Sequence, residues 1–360
     1  MQDGSGVAFN CDVAIAGGGP AGSAAAIWCA SHGLNVCLAE AQAFPRDRPG
    51  ESLHPGITSL FDRLGVADAV NAAGFLRHTG HWVGWGGPPQ FKAFGKDSRG
   101  AWLGFQAWRA QLDAILLRRA DAANARILQP CRAIAPITAD GRIAGLRTEA
   151  GDIRARFVLD ATGSRHWLHL QAGLGLRRAS RRLIATYGYA AGAAGQFPPD
   201  PILLANPGGW VWLARVRSEL MAWTQLDFAS LRRQPPGAVR NLAAASAVRG
   251  ADVTWRMVDA CAGSGYFVLG DAASVIDPAA SHGVLKAIES GMLAGKLIAQ
   301  VCHGALAEDT AAAIYRDWVR QWFERDCRRL GDLYAALQAT SGAGASSASI
   351  SAGIARMSLR

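Results

Sequence analysis

The stretch Gly17-Gly18-Gly19-Pro20-Ala21-Gly22 sets three glycines, Gly17, Gly19 and Gly22, at the spacing that suits a pyrophosphate. Gly17 permits a tight turn, Gly19 lets the backbone approach the phosphates, and Gly22 lets the next helix pack on the strand before it. Pro20 and Ala21 open that helix, whose N-terminus offers free N–H groups and partial positive charge. Glu40 stands about 20 positions on, where a carboxylate accepts hydrogen bonds from an adenosine ribose and repels the 2′-phosphate of NADP. A second stretch ends an apolar strand in Gly270-Asp271-Ala272-Ala273 and continues as Asp277-Pro278, then Ser281-His282-Gly283-Val284. Asp271 is placed to bond a ribityl hydroxyl or a pyrophosphate-bound water, and the helix from Gly283 favours negative charge at its start. A third residue, Arg109, opens a helix; it either binds a cofactor phosphate or ribityl chain or pairs with Asp113 at i+4.

Histidine suits proton transfer near neutral pH. His54, His78, His81 and His282 are candidates, and His54 and His282 stand nearest the nucleotide-type segments. Glu51 is a further acid/base candidate, with a loop-stabilising hydrogen bond as its alternative. Trp82, Trp85, Trp102, Trp210, Trp212 and Trp223 are concentrated in two segments. Each alone suits a core, but together they suit an aromatic-walled substrate pocket, for which Trp82, Trp210 and Trp212 are the leading candidates.

Elements must position these residues. Cys11–Ala16 reads as a buried strand, Ser23–Ser31 as a small-residue helix, and Leu34–Glu40 as a second strand; this βαβ opening implies a parallel sheet. Helices are expected over His54–Ala73, Arg109–Ala125 and Gly283–Val301, with one or two over Ala311–Leu337. Ile143–Arg147 and Ile153–Asp160 read as a hairpin running into Ala161-Thr162-Gly163. Leu183–Ala190, Gly209–Val216, Leu220–Asp227 and Tyr266–Gly270 read as strands. The expected architecture is α/β: a Rossmann-like dinucleotide domain from 8–75, 106–165 and 256–310, and a mixed or antiparallel sheet domain from 76–105 and 166–255. C-terminal helices follow over 311–339. Residues 1–10 and a Ser/Gly/Ala-rich tail over 340–360 read as flexible.

Composition narrows the classes. The 360 residues are 50% hydrophobic, enough for a large core, and 18% charged. Net charge is +9, yet among the 37 basic residues only Lys92, Lys96, Lys286 and Lys296 are lysine, and the basic residues are scattered rather than blocked. Nucleic-acid binding is therefore not expected. Seven cysteines without CxxC or zinc spacing point to no metal and to a reducing, cytoplasmic setting. No apolar run is long enough to span a membrane, and no signal-peptide pattern opens the chain.

Over residues 11–330 the chain resembles the FAD-dependent monooxygenase and halogenase superfamily, built like p-hydroxybenzoate hydroxylase. The resemblance rests on GGGPAG at 17–22, Glu40, PRDRPGESL at 45–53, Arg109, LDATG at 159–163, GDAA at 270–273 and DPAASHG at 277–283. It implies FAD as cofactor, with Arg48, Ser52, Gly163, Gly270, Pro278, Gly283 and Val284 joining the residues above. Gly50-Glu51-Ser52 is similar to the loop beside the isoalloxazine ring, and Pro278 to Gly283 to the loop facing its pyrimidine edge. Within the superfamily, GESLHPG with SHGVLKA looks closest to flavoproteins of the LodB, GoxB and QhpG type, which hydroxylate a tryptophan of a partner protein. The implied reaction is hydroxylation of an electron-rich aromatic ring through a flavin C4a-hydroperoxide, on a small molecule or a protein tryptophan. Electrons would come from transiently docked NAD(P)H or a separate reductase. Two departures bear on alternatives. Trp210-Val-Trp212-Leu-Ala214 keeps the tryptophans of the halogenase Trp-x-Trp-x-Ile-Pro motif without Ile-Pro, and Phe75–Trp85, where their catalytic lysine would fall, holds no lysine. Alternatives are a halogenase, a geranylgeranyl-reductase-like enzyme, and a non-catalytic flavin-binding maturation partner.

Overall fold

The computed structural model describes residues 9–46, 48–192 and 197–339. Strand β1 (Phe9–Ala16) ends in the buried run Val13–Ala16, and β2 (Val36–Ala39) is buried throughout. Such continuous apolar runs suit a parallel sheet covered on both faces. They pair in parallel, Val13 opposite Val36, with helix α1 (Pro20–Ser31) as the crossover. On the other side β1 pairs in parallel with β3 (Gly151–Asp160), whose first half also pairs antiparallel with Arg142–Thr148 and whose last half pairs in parallel with β4 (Tyr266–Val268). Arg126–Leu128 extends the far edge beside β2. Three distant stretches of chain therefore end at one edge of the same eight-stranded sheet. That is where an open α/β sheet binds its ligand.

Helix α2 (Arg109–Ala122) and helix α3 (Gly283–Cys302) pack on α1. The α1–α3 approach is close enough to require glycine: a Cβ on Gly291 would lie 2.2 Å from the Ala21 carbonyl oxygen.

A second eight-stranded sheet carries the tryptophans, with Ile184–Ala191, Leu220–Asp227, Gly209–Arg217, Ile202–Asn206, Gly80–Trp85 and Gln90–Ala93 in consecutive positions. It is antiparallel except where Ile202–Asn206 runs parallel to Gly80–Trp85. The long helix α4 (Glu308–Ala339) lies against both sheets, with Tyr315 donating to the Val268 carbonyl and the Leu333 carbonyl accepting from Trp85.

Several expected elements differ. The helix expected over His54–Ala73 is broken into Thr58–Leu64 and Ala67–Ala72, because Gly65 takes a left-handed φ of 65° and ends the first. The expected flexible start ends sooner, since Phe9 and Asn10 are already paired to β3; residues 1–8 and the tail over 340–360 lie outside the described residues. The strand Ile202–Asn206 was not expected, and the C-terminal segment is one helix. No helix among the described residues is long and apolar enough to cross a membrane.

Candidate active site

At the end of β1 the three motif glycines do different things. A Cβ on Gly17, whose φ is 105°, would lie 2.4 Å from the Ala161 carbonyl oxygen, and one on Gly22 would lie 1.9 Å from that of Gly17. Both are pressed against backbone. Gly19 instead borders open space: a Cβ there meets only Arg46 Nη2, at 3.4 Å. It precedes Pro20, the first residue of α1, and Ala21 follows buried. Glu40 is 3% exposed; its Oε2 accepts from the Gly18 amide at 2.7 Å and its Oε1 from the Gln42 amide at 2.8 Å. The carboxylate thus fixes the loop it faces.

Arg46 completes this end. Its guanidinium lies 3.6 Å from Glu40 and 3.8 Å from Asp113, over the Phe44 ring, and its Nε is buried with no protein partner. An orphaned cationic donor beside the open face of Gly19 fits a phosphate, so the residues present fit a dinucleotide. The resemblance implies Arg48, and both arginines donate to Gln42 Oε1, Arg48 at 2.9 Å and Arg46 at 3.4 Å; what sets Arg46 apart is its Nη2 beside Gly19 and its unpartnered Nε. Nothing in the sequence separated the two arginines of Pro-Arg-Asp-Arg.

The three motif segments meet at the next step of the groove. A Cβ on Gly50 would lie 3.1 Å from Arg109 Nη1 and 3.6 Å from Val284 Cγ2. Arg109 makes the i+4 pairing with Asp113 that the sequence offered as one of two readings. It pairs with Asp113 through two hydrogen bonds at 2.9 and 3.1 Å, yet its side chain is 11% exposed and Nη1 donates to the Pro49 carbonyl at 2.7 Å. Burial opposes its charge, while Asp113, Glu51 and Asp271 together hold it on. Asp271 is exposed on the short turn Gly270–Ala272. Gly270, at a φ of 54°, abuts Ala21 and Ala287 and donates its amide to Ser290. Gly163, at a φ of 77°, has no side chain or backbone within reach of a Cβ. Ser52 donates to Gln106 Oε1 at 2.7 Å. Pro278 starts the turn that leads through His282 to Gly283 and Val284 at the head of α3.

The acid/base candidates separate by environment. Glu51 is 8% exposed and held from two sides: Oε1 accepts from the Tyr189 hydroxyl at 2.6 Å and Oε2 from the Gly50 amide at 2.8 Å. Burial pushes its carboxyl up and these bonds oppose the shift. Its geometry is that of a loop brace. His54 caps the turn Pro55–Ile57 by accepting from the Gly56 amide, and burial lowers its pKa. His282 is pushed down to about 4 by burial, then by Arg329, His54, Lys286 and Arg325; its Nδ1 is buried with no partner. Both rings are neutral at pH 7. His54, His78 and His81 all lie around the Phe94 ring, at centroid distances of 5.0, 5.2 and 5.7 Å. No group able to hold a metal ion occurs among the described residues.

A cavity of about 500 Å³ opens beside His54, lined also by Arg77, Asp97, Arg99, Trp102 and Leu103. Trp82, Trp210 and Trp212 do not line it. Trp82 is half-buried against Phe91, and Trp212 is half-buried. Trp210 is 1% exposed and donates to the Tyr334 hydroxyl at 3.0 Å, so its indole is engaged inside the protein. That partner belongs to a cluster the sequence reading missed. Tyr334 stacks on Trp85 and Trp255, with Phe228 edge-on, and its hydroxyl donates to the buried Asp277. These residues come from six places in the chain and form no local motif.

Comparisons with known proteins agree with this geometry. The chain matches the tryptophan halogenase family over residues 12–108 and 95–334. It is 28% identical over 343 residues to a tryptophan 2-halogenase of Chondromyces crocatus, covering 84% of this chain but only 64% of that protein. It is 27% identical over 340 residues to a brominase of Pseudoalteromonas luteoviolacea named for pyrrole-2-carbonyl on a peptidyl carrier protein, covering 85% and 81%. A menaquinone reductase of Mycobacterium tuberculosis is 27% identical over 330 residues, covering 80% and 76%. Among solved structures, a myxobacterial chondrochloren halogenase superposes with a TM-score of 0.79 at 24% identity over 91% of this chain and 83% of that one. A flavin-dependent brominase does so at 0.78 and 23%, over 87% and 84%. The family match does not support the likeness of GESLHPG and SHGVLKA to the partner-tryptophan hydroxylases. The α/β fold, the phosphate-ready groove and the family match lead to one assignment: the chain belongs to the tryptophan halogenase family, within the flavin-dependent halogenase and FAD-dependent monooxygenase superfamily.

Proposed function

We propose that this protein is an FAD-dependent halogenase of an electron-rich aromatic ring, with 8–75, 106–165 and 256–310 holding the flavin and 76–105 with 166–255 facing the substrate. The observation that carries the reading is the family match across almost all of the described chain, coinciding with a groove whose Gly19 face is open beneath an unpaired Arg46 donor. When bound, FAD would supply the redox and oxygen chemistry. The chain's own residues bind and orient it. Arg46 and the α1 N-terminus would take the phosphates and Glu40 the ribose, while Gly50–Ser52, Arg109, Gly163 and Gly283–Val284 would flank the rest. Neutral His54 and His282 would accept or pass a proton, His282 through its unpartnered Nδ1. The aromatic second sheet would keep water from the ring.

A second reading, halide-independent oxygenation or reduction, is favoured by one departure: Phe75–Trp85 carries Arg77, His78 and His81 but no lysine. The test supplies reduced FAD, oxygen and bromide or chloride with a panel of indoles, pyrroles and phenols, free and carrier-tethered, and follows product mass. A halogenated product supports the proposal. Oxygenated product without halide incorporation, or product formed anaerobically, overturns it in favour of the second reading. Adding NAD(P)H alone, or with a flavin reductase, identifies the electron source.

A further inference from the structure

Asp277 is 1% exposed, and its two oxygens face different structures. Oδ1 accepts from the Ala279 amide at 2.8 Å and so caps the turn Pro278–Ala280. That turn ends at Ser281, in left-handed backbone at a φ of 58°, directly before His282 and α3. Oδ2 accepts from the Tyr334 hydroxyl. The same hydroxyl accepts from Trp210 Nε1 at 3.0 Å, on the strand Gly209–Arg217 of the second sheet.

The Tyr334 ring has little freedom. Trp85 stacks on it at 5.6 Å and 16°, Trp255 at 5.9 Å and 21°, and Phe228 meets it edge-on at 5.1 Å. Trp85 is itself tied to α4 through the neighbouring Leu333 carbonyl, at 2.8 Å. A hydroxyl carried on a clamped ring is aimed before any ligand arrives.

We infer that Tyr334 is a positioning residue: by donating to Asp277 and accepting from Trp210, it locks the 277–283 loop to the second sheet in the conformation that receives the flavin ring. This rests on the flavin reading above. Replacing the hydroxyl leaves Asp277 Oδ2 buried without its donor and Trp210 Nε1 without its acceptor, the costly way to break a buried bond. It also removes a bond that favours the ionised carboxyl. Burial already pushes Asp277 up to about 6 against the bonds from Tyr334 and the Ala279 amide, so the loss of Tyr334 raises it further. Other titratable groups stand near the loop. His282 is pushed down to about 4 and stays neutral above pH 5, under the influence of Arg325 and Arg329 on α4, Lys286 on α3 and His54. His54 and His81 are lowered by burial.

The test titrates FAD into the full-length apoprotein from pH 5.5 to 8.5, following flavin fluorescence, with melting temperature recorded in parallel. Wild type should bind, with a step in affinity near pH 6. Tyr334→Phe should bind about tenfold more weakly at pH 7 and show the step at higher pH. Asp277→Asn, which keeps an acceptor for the Ala279 amide but cannot ionise, should lose the step. Phe228→Leu, which loosens one side of the clamp and spares the hydroxyl, should lower the melting temperature and weaken FAD binding less than Tyr334→Phe does. A folded Tyr334→Phe with wild-type affinity and step overturns the inference. So does a step that survives Asp277→Asn, which would belong to the histidines, and that variant decides the matter if Tyr334→Phe does not fold. A wild type that binds no FAD at any pH overturns the flavin reading itself.

Discussion

The nucleotide end of the groove and the aromatic seam beneath α4 are built by opposite means. At Gly17 and Gly22 backbone touches backbone, and the missing side chains make the shape. At the seam, four large rings from Trp85, Trp210, Trp255 and Tyr334 fill the space, and hydrogen bonds through Trp85, Trp210 and Tyr334 set the orientation of those three. The first region should fail sharply on the addition of one carbon. The second should tolerate changes of ring and respond to the loss of single polar atoms.

The largest expected effect is at Gly22. Gly22→Val puts a Cβ 1.9 Å from the Gly17 carbonyl oxygen, which α1 cannot relieve without leaving β1; no cooperatively folding protein is expected by circular dichroism. Gly19→Val, three residues away in sequence, should fold, because its Cβ meets only the end of Arg46 at 3.4 Å. If both variants unfold, the distinction between packing glycines and a ligand-facing glycine is lost.

At the seam, Trp210→Ala should cost about 3–5 kcal/mol of unfolding free energy by chemical denaturation, the range for truncating a buried aromatic. Returning to the groove, Arg46→Met should weaken FAD by tenfold or more in a fluorescence titration, since a charged hydrogen bond is worth about 1.5–3 kcal/mol. Arg48→Met should change affinity less than about twofold. Equal effects would mean that the orphaned Nε of Arg46 is not aimed at the ligand.

The smallest effect is in pH dependence, and it links the two regions. His282, lowered to about 4, resists protonation in the fold, so it contributes stability above pH 6.5 that is lost as pH falls through 4. Asp277, raised to about 6, works the other way: its ionised form costs stability above pH 6, relieved as pH falls toward 4. Each amounts to about 2–3 kcal/mol at most, so the two partly cancel in wild type. The difference in stability between His282→Asn and wild type should change in favour of the variant as pH falls from 6.5 to 4. For Asp277→Asn the advantage should appear above pH 6 and vanish toward 4. Flat difference curves would mean that neither group is perturbed as its burial implies.

The same contrast explains what the sequence could reveal. The nucleotide end was legible because its chemistry is contiguous: glycine spacing, a strand before and a helix after need only local rules. Arg109 was legible as a choice between two roles; the structure has it paired with Asp113 and also bonded to the Pro49 carbonyl, a contact that no local rule foretells. Arg46 was not legible against Arg48, because side-chain direction in an irregular loop depends on tertiary contacts. Tyr334 left no local signal. It lies on a helix of ordinary amphipathic pattern, and its partners stand about 60 to 250 positions away, at Asp277, Trp210 and Trp85. Trp210 suits a pocket wall by its type alone, but its indole is fully buried and donates to the Tyr334 hydroxyl.

The claim on which the rest stands is that segments around Gly19, Arg109 and Asp271 form one flavin site. Flavin content of the purified, FAD-saturated protein, read from absorbance bands at roughly 370 and 450 nm, tests it directly. The account predicts one FAD per chain in wild type and none in folded Gly19→Val. A wild type that stays colourless in excess FAD, or a Gly19→Val protein that holds one equivalent, would contradict it.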